Sequence, residues 1–282
     1  MKYIQIHLSV QAGKWMIAEA LSRMPCVQDA FRRGELALKA GTTTTTSCLS
    51  WLLTGQHLRL CGRITSRGTV ADLRESDAPH TAVLSPEGMR SLDYAEREGL
   101  LSLSPEAVLV TGANLIDAAG NAALLAGSPG AGSYGAALSA AASEGMRVLI
   151  AAGTEKLSPT DVRTAVRQSR RKGVDAAFGM ACGLVPLSGE VITEVDAVRM
   201  LAPVEAVLLA KGGICGAEGG SVIQVWGEAE AVDTVWETAV RCSSRPVSGT
   251  AESLIECHPG SRGCREHLSC GYRGRLLPDD RS

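Results

Sequence analysis

The residues whose spacing most clearly indicates chemistry are three glycines, Gly130, Gly132 and Gly135, which form a GxGxxG pattern. They lie between an apolar run and an alanine-rich segment, and Glu155 follows at the end of the next apolar run. In dinucleotide sites such glycines let the backbone approach the pyrophosphate, and a later acidic residue binds the ribose. The pattern therefore raises nicotinamide-dependent redox chemistry as one hypothesis.

The residues around these glycines argue against a nicotinamide site. In a dinucleotide site the first glycine directly follows the first strand, whereas Gly127, Ser128 and Pro129 separate the apolar run from Gly130. Pro129 also lacks the backbone N–H that a phosphate would need. We therefore interpret the segment as a glycine-rich ligand-binding loop and keep dinucleotide binding as the less favoured alternative.

A second segment, residues 41–47, places five consecutive threonines between an apolar run and a predicted helix. The free N–H groups of a helix N-terminus carry partial positive charge, so Gly41, Thr42, Thr43 and Thr44 are candidates for binding a phosphate or a carboxylate. The alternative is that the threonines only cap the helix. The segment lacks the lysine of a GxxxxGK[ST] loop, which excludes a P-loop ATPase.

Three carboxylates are candidates for catalysis. Glu218 lies among glycines in the segment GAEGG, where a thioester can approach it closely and be attacked. Glu155 and Lys156 follow an apolar run, at the strand end where open α/β sheets bind ligands. Asp117 begins the segment DAAGN. The structural alternatives are a solvated loop for Glu218, an exposed ion pair for residues 155–156 and a turn for Asp117.

Cysteines and histidines cluster near the C-terminus. Cys257, Cys264, His267 and Cys270 suit a tetrahedral zinc ion, and the three thiols suit an iron–sulfur cluster that has one further ligand. The surrounding Gly, Pro and Arg residues cannot form a core, so a bound metal would explain any order in this segment. The spacing matches no standard finger or ferredoxin pattern, and a tail with incidental thiols is the alternative.

Composition narrows the class of protein. The chain has 282 residues, 45% of them apolar, and a net charge of −2, so it has a core but no basic surface that would indicate a nucleic-acid partner. No apolar run reaches the ~18–20 residues of a membrane span, and the N-terminus lacks the unbroken apolar segment of a signal peptide. We therefore expect a cytoplasmic protein without a disulfide framework. Assembly into a homo-oligomer stays open.

The candidate residues lie on a regular alternation of predicted strands and helices. A strand at 107–111, a short strand at 122–126, a helix at 133–144, a strand at 147–152 and a helix at 160–172 follow in order. This βαβ order predicts an α/β fold with a mainly parallel sheet and crossover helices. Residues 89–98 are predicted as a charged surface helix. We expect three segments: an α/β ligand-binding domain (1–190), a small α+β lobe (191–242) and a disordered or metal-stapled tail (243–282).

The segment TGANLIDAAGN (residues 111–121), the glycine loop after it and the pair Glu155-Lys156 resemble a known superfamily. This superfamily contains ribose-5-phosphate isomerase, glucosamine-6-phosphate deaminase and the CoA transferases. Within it, the chain is most similar to lactate-utilisation (LUD) domains over roughly residues 34–160. The resemblance implies an isomerase/CoA transferase-like fold and the following ligand-binding residues: Gly41, Thr42, Thr43, Thr44, Gly112, Asn114, Gly127, Gly130, Gly132 and Lys156.

The resemblance implies a protein of organic-acid metabolism that binds a small anionic metabolite or a CoA ester and acts beside a redox-enzyme subunit. The isomerase branch carries acidic residues where this chain has Thr111, Asn114 and Leu115, and only Asp117 remains of that group. A neutral set cannot supply the general base that sugar-phosphate isomerisation needs. Two alternatives stay open: an active CoA transferase or phosphosugar isomerase that uses Glu218, Asp117 or Glu155, and a metal-binding accessory protein centred on the C-terminal cysteines.

Overall fold

The computed structural model describes residues 1–40, 44–71, 77–245, 264 and 267–273. The strands of this part of the chain are β1 (Lys2–Leu8), β2 (Leu36–Lys39), β3 (Gly62–Thr65), β4 (Gly68–Ala71), β5 (Thr81–Ser85), β6 (Gly88–Ser91), β7 (Val108–Gly112), β8 (Leu115–Ile116), β9 (Ala122–Ala126), β10 (Arg147–Ala151), β11 (Gly183–Leu187), β12 (Glu190–Ile192), β13 (Val204–Gly212) and β14 (Gly220–Gly227). The α-helices are α1 (Val10–Arg23), α2 (Pro25–Arg33), α3 (Thr45–Thr54), α4 (Glu96–Leu101), α5 (Gly132–Ser143), α6 (Val162–Gln168), α7 (Glu194–Leu201) and α8 (Ala229–Ser243).

A six-stranded sheet lies at the centre of the molecule, in the order β12–β10–β7–β2–β5–β6. The first four strands are parallel, and β5 and β6 are antiparallel to their neighbours. Alternate residues of β7 contribute to two different hydrophobic clusters, Val108 and Val110 to one and Leu109 to the other. Strands buried on both faces read as continuous apolar runs, which is why they were predictable. The predicted α/β class with a mainly parallel sheet is confirmed.

Local sequence signals end the first helices. Pro25 separates α1 from α2, because proline cannot continue a helix but suits its first turn. Gly34 and Gly55 end α2 and α3 in the left-handed conformation, with φ of 69° and 71°. Since β2 ends at Lys39 and α3 begins only a few residues later, the connection between them starts at the carboxyl edge of the parallel strands.

A second, antiparallel sheet contains β1, β14 and β13, and β1 pairs along its whole length with β14. Its inward residues, among them Ile6, Ile223 and Val225, belong to the same hydrophobic cluster as one face of the central sheet. The N-terminal strand thus lies with the segment after residue 203, although the predicted division assigned it to residues 1–190. Periodicity along the chain identifies a strand but not its distant partner, so the sequence could not show this pairing.

A buried hydrogen-bond network joins the two sheets. Glu194, at the start of α7, accepts from the N–H of Thr154 at 2.8 Å and from the hydroxyl of Ser221 at 2.6 Å. Lys211 donates to the hydroxyl of Thr154 at 2.8 Å and to the hydroxyl of Ser221 at 3.0 Å. Thr154 follows β10 of the central sheet, whereas Ser221 and Lys211 belong to the antiparallel sheet of β1, β14 and β13. The carboxylate of Glu194 therefore helps to fix the position of one sheet against the other.

Two predicted elements take a different form. The helix predicted over residues 89–98 is wrong, because this segment contains strand β6 and only the start of α4. A turn at Pro86 and Glu87 brings β6 back onto β5, and Gly88, the first residue of β6, has a φ of 130°. Strand β9, predicted as part of the parallel alternation, instead pairs antiparallel with β8 and β11 in a small sheet of its own.

Within the described residues, no helix is long and apolar enough to cross a membrane. The described C-terminal residues pack on the middle of the chain. Cys270 forms a β-bridge with Ala177, and Nε2 of His267 accepts from the N–H of Ala71 at 3.4 Å. The greater part of the predicted tail, including Cys257, lies outside the described residues.

Candidate functional site

A cavity of about 260 Å³ lies at the carboxyl ends of β2 and β7. We call it the Lys39 cavity, and its polar side chains are those of Lys39, Cys61, His80, Thr111, Ser128 and Tyr134. Open α/β sheets bind their ligands at this edge, because the strand ends and the following loops leave a crevice there. The position of the cavity therefore makes it the first candidate for a functional site.

Lys39 is the last residue of β2 and is 5% exposed. Its ammonium donates to Oε1 of Glu96 at 2.5 Å and to Oγ1 of Thr81 at 2.8 Å. The Thr81 hydroxyl donates to the same Glu96 oxygen at 2.7 Å. Burial lowers the pKa of Lys39, and the negative charge of Glu96 opposes this shift. Lys39 is thus more easily deprotonated than a surface lysine, and a proton acceptor lies beside it.

Tyr134, from α5, lines the same cavity. Its hydroxyl is hydrogen-bonded to the hydroxyl of Thr111 at the end of β7, and the Lys39 nitrogen lies 4.9 Å from the centre of its ring. Burial raises the pKa of Tyr134, so the phenol stays protonated at neutral pH. The ammonium, the phenol and the threonine hydroxyl therefore stand together at the sheet edge.

His80 and Cys61 contribute neutral groups to the lining. Burial, together with the nearby charge of Lys39, lowers the pKa of His80 to about 4. Its Nδ1 is hydrogen-bonded to the carbonyl of Arg59 at 3.0 Å. Burial raises the pKa of the Cys61 thiol to about 11. Among the described residues of the lining, Lys39 is therefore the one side chain that is charged at neutral pH.

The predicted glycine loop contributes Gly127 and Gly132 to the lining of the Lys39 cavity. Gly130 and Gly132 have φ of 58° and 63°, a conformation that glycine adopts without strain. At Gly135, an added side-chain carbon would lie only 2.2 Å from the carbonyl oxygen of Gly130. A tight turn and close backbone packing thus account for the GxGxxG spacing without a dinucleotide.

Asn114, Glu155 and Lys156 line a second cavity of about 490 Å³, which we call the Lys156 cavity. Lys156 donates to the carbonyl of Ala113 at 2.5 Å, and burial lowers its pKa to about 8. Oε1 of Glu155 is buried and has no hydrogen-bond partner among the described residues. Asn114 accepts from the N–H of Leu125 at 2.9 Å. Of the predicted ligand-binding residues, Gly127 and Gly132 therefore line the Lys39 cavity, whereas Asn114 and Lys156 line the Lys156 cavity. Gly130 is not among the lining residues of either cavity.

Only part of the predicted threonine loop can be placed. Gly41, Thr42 and Thr43 lie outside the described residues. Thr44 is buried immediately before α3, and its carbonyl accepts from the N–H of Cys48 at 2.9 Å. Gly112, predicted to bind ligand, is the last residue of β7 and pairs with Ala151 of β10. Anion binding by the threonine loop stays a prediction.

Asp117 and Glu218 are not among the lining residues of the two cavities. Asp117 accepts from the N–H groups of Asn121 and Val162, each at 3.0 Å, and these bonds lower its pKa to about 2. A carboxylate held ionised in this way fixes a turn and is a weak base. Glu218 accepts from the N–H of Gly216 at 2.9 Å within its own loop. A catalytic role for either residue stays a prediction.

The predicted metal ligands are only partly described. Cys264 is half-buried, and His267 and Cys270 are buried. In the described ranges of the chain, no three His, Cys, Asp or Glu residues are grouped so that they could hold a metal ion. Cys257 lies outside these ranges. A zinc or iron–sulfur site at the C-terminus stays a prediction.

The sequence alone does not single out Lys39, Thr81, Glu96 or Tyr134. They come from β2, β5, α4 and α5, and no local motif joins them. The available signal was a lysine inside the apolar run LALKA, because a charged residue in a buried strand needs a partner.

No protein-family model matches the chain, and no curated protein matches it.

Proposed function

We propose that the protein binds a small organic acid, through its carboxylate, in the Lys39 cavity. The observation that carries this proposal is the position of Lys39, a buried lysine at the carboxyl end of a central strand. An anion there meets the lysine ammonium and the hydroxyl groups of Thr111 and Tyr134. None of the described lining residues is acidic, so no like charge within the lining opposes it. Glu96 offsets part of the lysine charge, and we expect moderate affinity.

The volume of the cavity limits the ligand. At about 260 Å³ it is smaller than the roughly 300–1,000 Å³ of sites for drug-sized ligands. A short-chain acid, or the acyl group of a CoA ester, suits this volume. A dinucleotide or a whole CoA ester is too large for it. Together with the sequence resemblance to LUD domains, this supports a proposed role in cytoplasmic organic-acid metabolism beside a redox-enzyme subunit.

Calorimetric titration with pyruvate, lactate and malonate tests the proposal, with acetyl-CoA and NADH as comparison ligands. The variant Lys39→Met/Glu96→Leu removes the charge without leaving either partner buried alone. Lys156→Met removes a lysine from the other cavity and is the matched control. A charge-assisted hydrogen bond contributes about 1.5–3 kcal/mol, so the double variant should lose about tenfold or more in affinity.

The outcomes of this titration are distinct. A short acid that binds the wild type and Lys156→Met equally, and the double variant weakly, supports the Lys39 cavity. Binding that survives in the double variant, or that is lost in Lys156→Met, places the acid elsewhere and contradicts the proposal. Binding of NADH but of none of the short acids would contradict the proposal and favour the dinucleotide hypothesis instead.

A CoA transferase is the second candidate, because the loop that carries Glu218 packs against Glu155. A side-chain carbon added at Gly219 would lie 3.5 Å from Cβ of Glu155. In such an enzyme the Glu218 carboxylate attacks an acyl-CoA and displaces CoA, which gives a mixed anhydride. The CoA thiolate then attacks the glutamyl carbonyl, which releases the free acid and leaves a glutamyl thioester. Incubation with acetyl-CoA and hydroxylamine should then leave a hydroxamate at Glu218 that Glu218→Gln lacks. An unmodified Glu218 in the wild type excludes this candidate.

A further inference from the structure

Lys39 has the surroundings that a nucleophilic lysine needs. A lysine attacks a carbonyl carbon only as the neutral amine, so its ammonium must first pass a proton to a nearby base. Oε1 of Glu96 lies 2.5 Å from the Lys39 nitrogen, within direct transfer distance. The Thr81 hydroxyl, 2.8 Å from the nitrogen, holds the same carboxylate oxygen in place. The proton acceptor is therefore preorganised.

Burial of both partners makes this proton transfer feasible. Lys39 is 5% exposed and Glu96 is 3% exposed, so each ionised group has lost most of its hydration. Transfer of one proton from the ammonium to the carboxylate removes both charges at once, and the desolvation cost of the ion pair disappears with them. The lowered pKa of Lys39 agrees with this direction. On an exposed pair, water would hold both charges and the amine would stay protonated.

We infer that Lys39 forms an imine with the carbonyl carbon of a 2-oxo acid bound in the Lys39 cavity, an inference that rests on the proposed binding of a small organic acid there. In a 2-oxo acid the carbonyl is adjacent to the carboxylate. One lysine can therefore attract the acid and then react with it. The hydroxyls of Thr111 and Tyr134, which line the same cavity, remain to hold the carboxylate.

The step balances without any further reactant. The Lys39 ammonium gives a proton to Glu96, and the amine nitrogen forms a bond to the carbonyl carbon while the π electrons move to oxygen. A proton moves from the nitrogen of this adduct to that oxygen and gives a carbinolamine, and Glu96 returns its own proton to the nitrogen. This second proton then moves from nitrogen to oxygen, and the C–O bond breaks. The ammonium and the carbonyl compound have become a protonated imine and one water molecule.

Borohydride trapping on the full chain tests the inference. Protein incubated with pyruvate or glyoxylate is treated with sodium borohydride, which reduces an imine to a stable secondary amine, and the modified lysine is located by peptide mass spectrometry. We expect the adduct at Lys39, no adduct in Lys39→Arg, and trapping at least about tenfold slower in Glu96→Gln. Arginine keeps the charge opposite Glu96, so Lys39→Arg should fold. Lactate has no carbonyl beyond its carboxylate and should give no adduct.

Lys156 is the internal competitor, because burial lowers its pKa to about 8 and leaves a larger neutral fraction than on a surface lysine. An adduct at Lys156 or at exposed lysines instead of Lys39 overturns the inference. Calorimetric binding of pyruvate without any adduct also overturns it and leaves the binding proposal intact. An adduct at Lys39 without measurable binding of lactate or malonate supports imine formation and contradicts the broader binding proposal.

Discussion

Removal of the Lys39 charge alone should destabilise the protein more than removal of Lys39 and Glu96 together. Lys39→Met leaves the Glu96 carboxylate, 3% exposed, without its cation, and the loss of one partner of a buried pair costs about 3–5 kcal/mol. Glu96→Leu leaves the ammonium in the same position, at a similar cost. The double variant removes both charges and takes two partners from the Thr81 hydroxyl, at about 1–3 kcal/mol. The coupling energy between the two positions should therefore be at least about 3 kcal/mol in magnitude.

Urea unfolding of the wild type, both single variants and the double variant measures this coupling. The matched control is the pair Arg147 and Glu190, whose 3.0 Å contact joins side chains that are 52% and 53% exposed. The same cycle at this pair should give less than about 1 kcal/mol, because water already solvates both charges. If the Lys39 cycle gave no more coupling than this control, the pair would not be buried and ionised in the folded protein. The electrostatic basis of ligand binding and imine formation at Lys39 would then fail.

Three further predictions concern other parts of the molecule. Glu194→Gln should lower the free energy of unfolding by about 2–4 kcal/mol, because buried donors from both sheets lose a charged acceptor, whereas Glu205→Gln on the exposed face of β13 should change it little. Gly135→Ala should cost about 1–3 kcal/mol, because its added carbon meets a carbonyl oxygen at 2.2 Å, whereas Gly212→Ala enters open space. The pKa of Asp117, lowered from 3.8 to about 2, implies stabilisation that is complete above pH 3.8 and lost as the pH falls towards 2. Acid unfolding of Asp117→Ala should therefore depend less on pH in that interval.

Each of these three predictions has a contrary result. Equal urea midpoints for Glu194→Gln and Glu205→Gln would show that the network between the sheets contributes no stability. An unchanged midpoint for Gly135→Ala would mean that the glycine loop relaxes around the new methyl group. If the wild type and Asp117→Ala lost stability in parallel between pH 4 and 2, the carboxylate would not be held by the turn.

The elements that position the site were predictable where their signal is local. The apolar runs of β7 and β10 read directly as buried strands, and Gly55 marks the end of α3. Pairing between distant segments left no such signal. The parallel partners in the central sheet follow from the βαβ rule, but β1 reaches β14 across almost the whole chain. The sequence therefore predicts which segments form strands and helices better than it predicts the order of the strands in the sheets.

The Lys39 site could not be predicted either, because its residues come from segments that are distant in the sequence. The incorrect prediction of a helix over residues 89–98 made the site still harder to recognise. The charged pattern of residues 89–98 indicates a solvated surface helix, and every acidic residue in it then reads as exposed. In the structure α4 begins at Glu96 itself, packs against α5, and turns that one carboxylate inward to Lys39. Lys39 could be recognised as a charge that needs a partner, but its partner could not be chosen among surface-like acids. A charged residue inside an apolar strand therefore shows from the sequence that a buried partner is needed, whereas the identity of that partner depends on how the other elements pack.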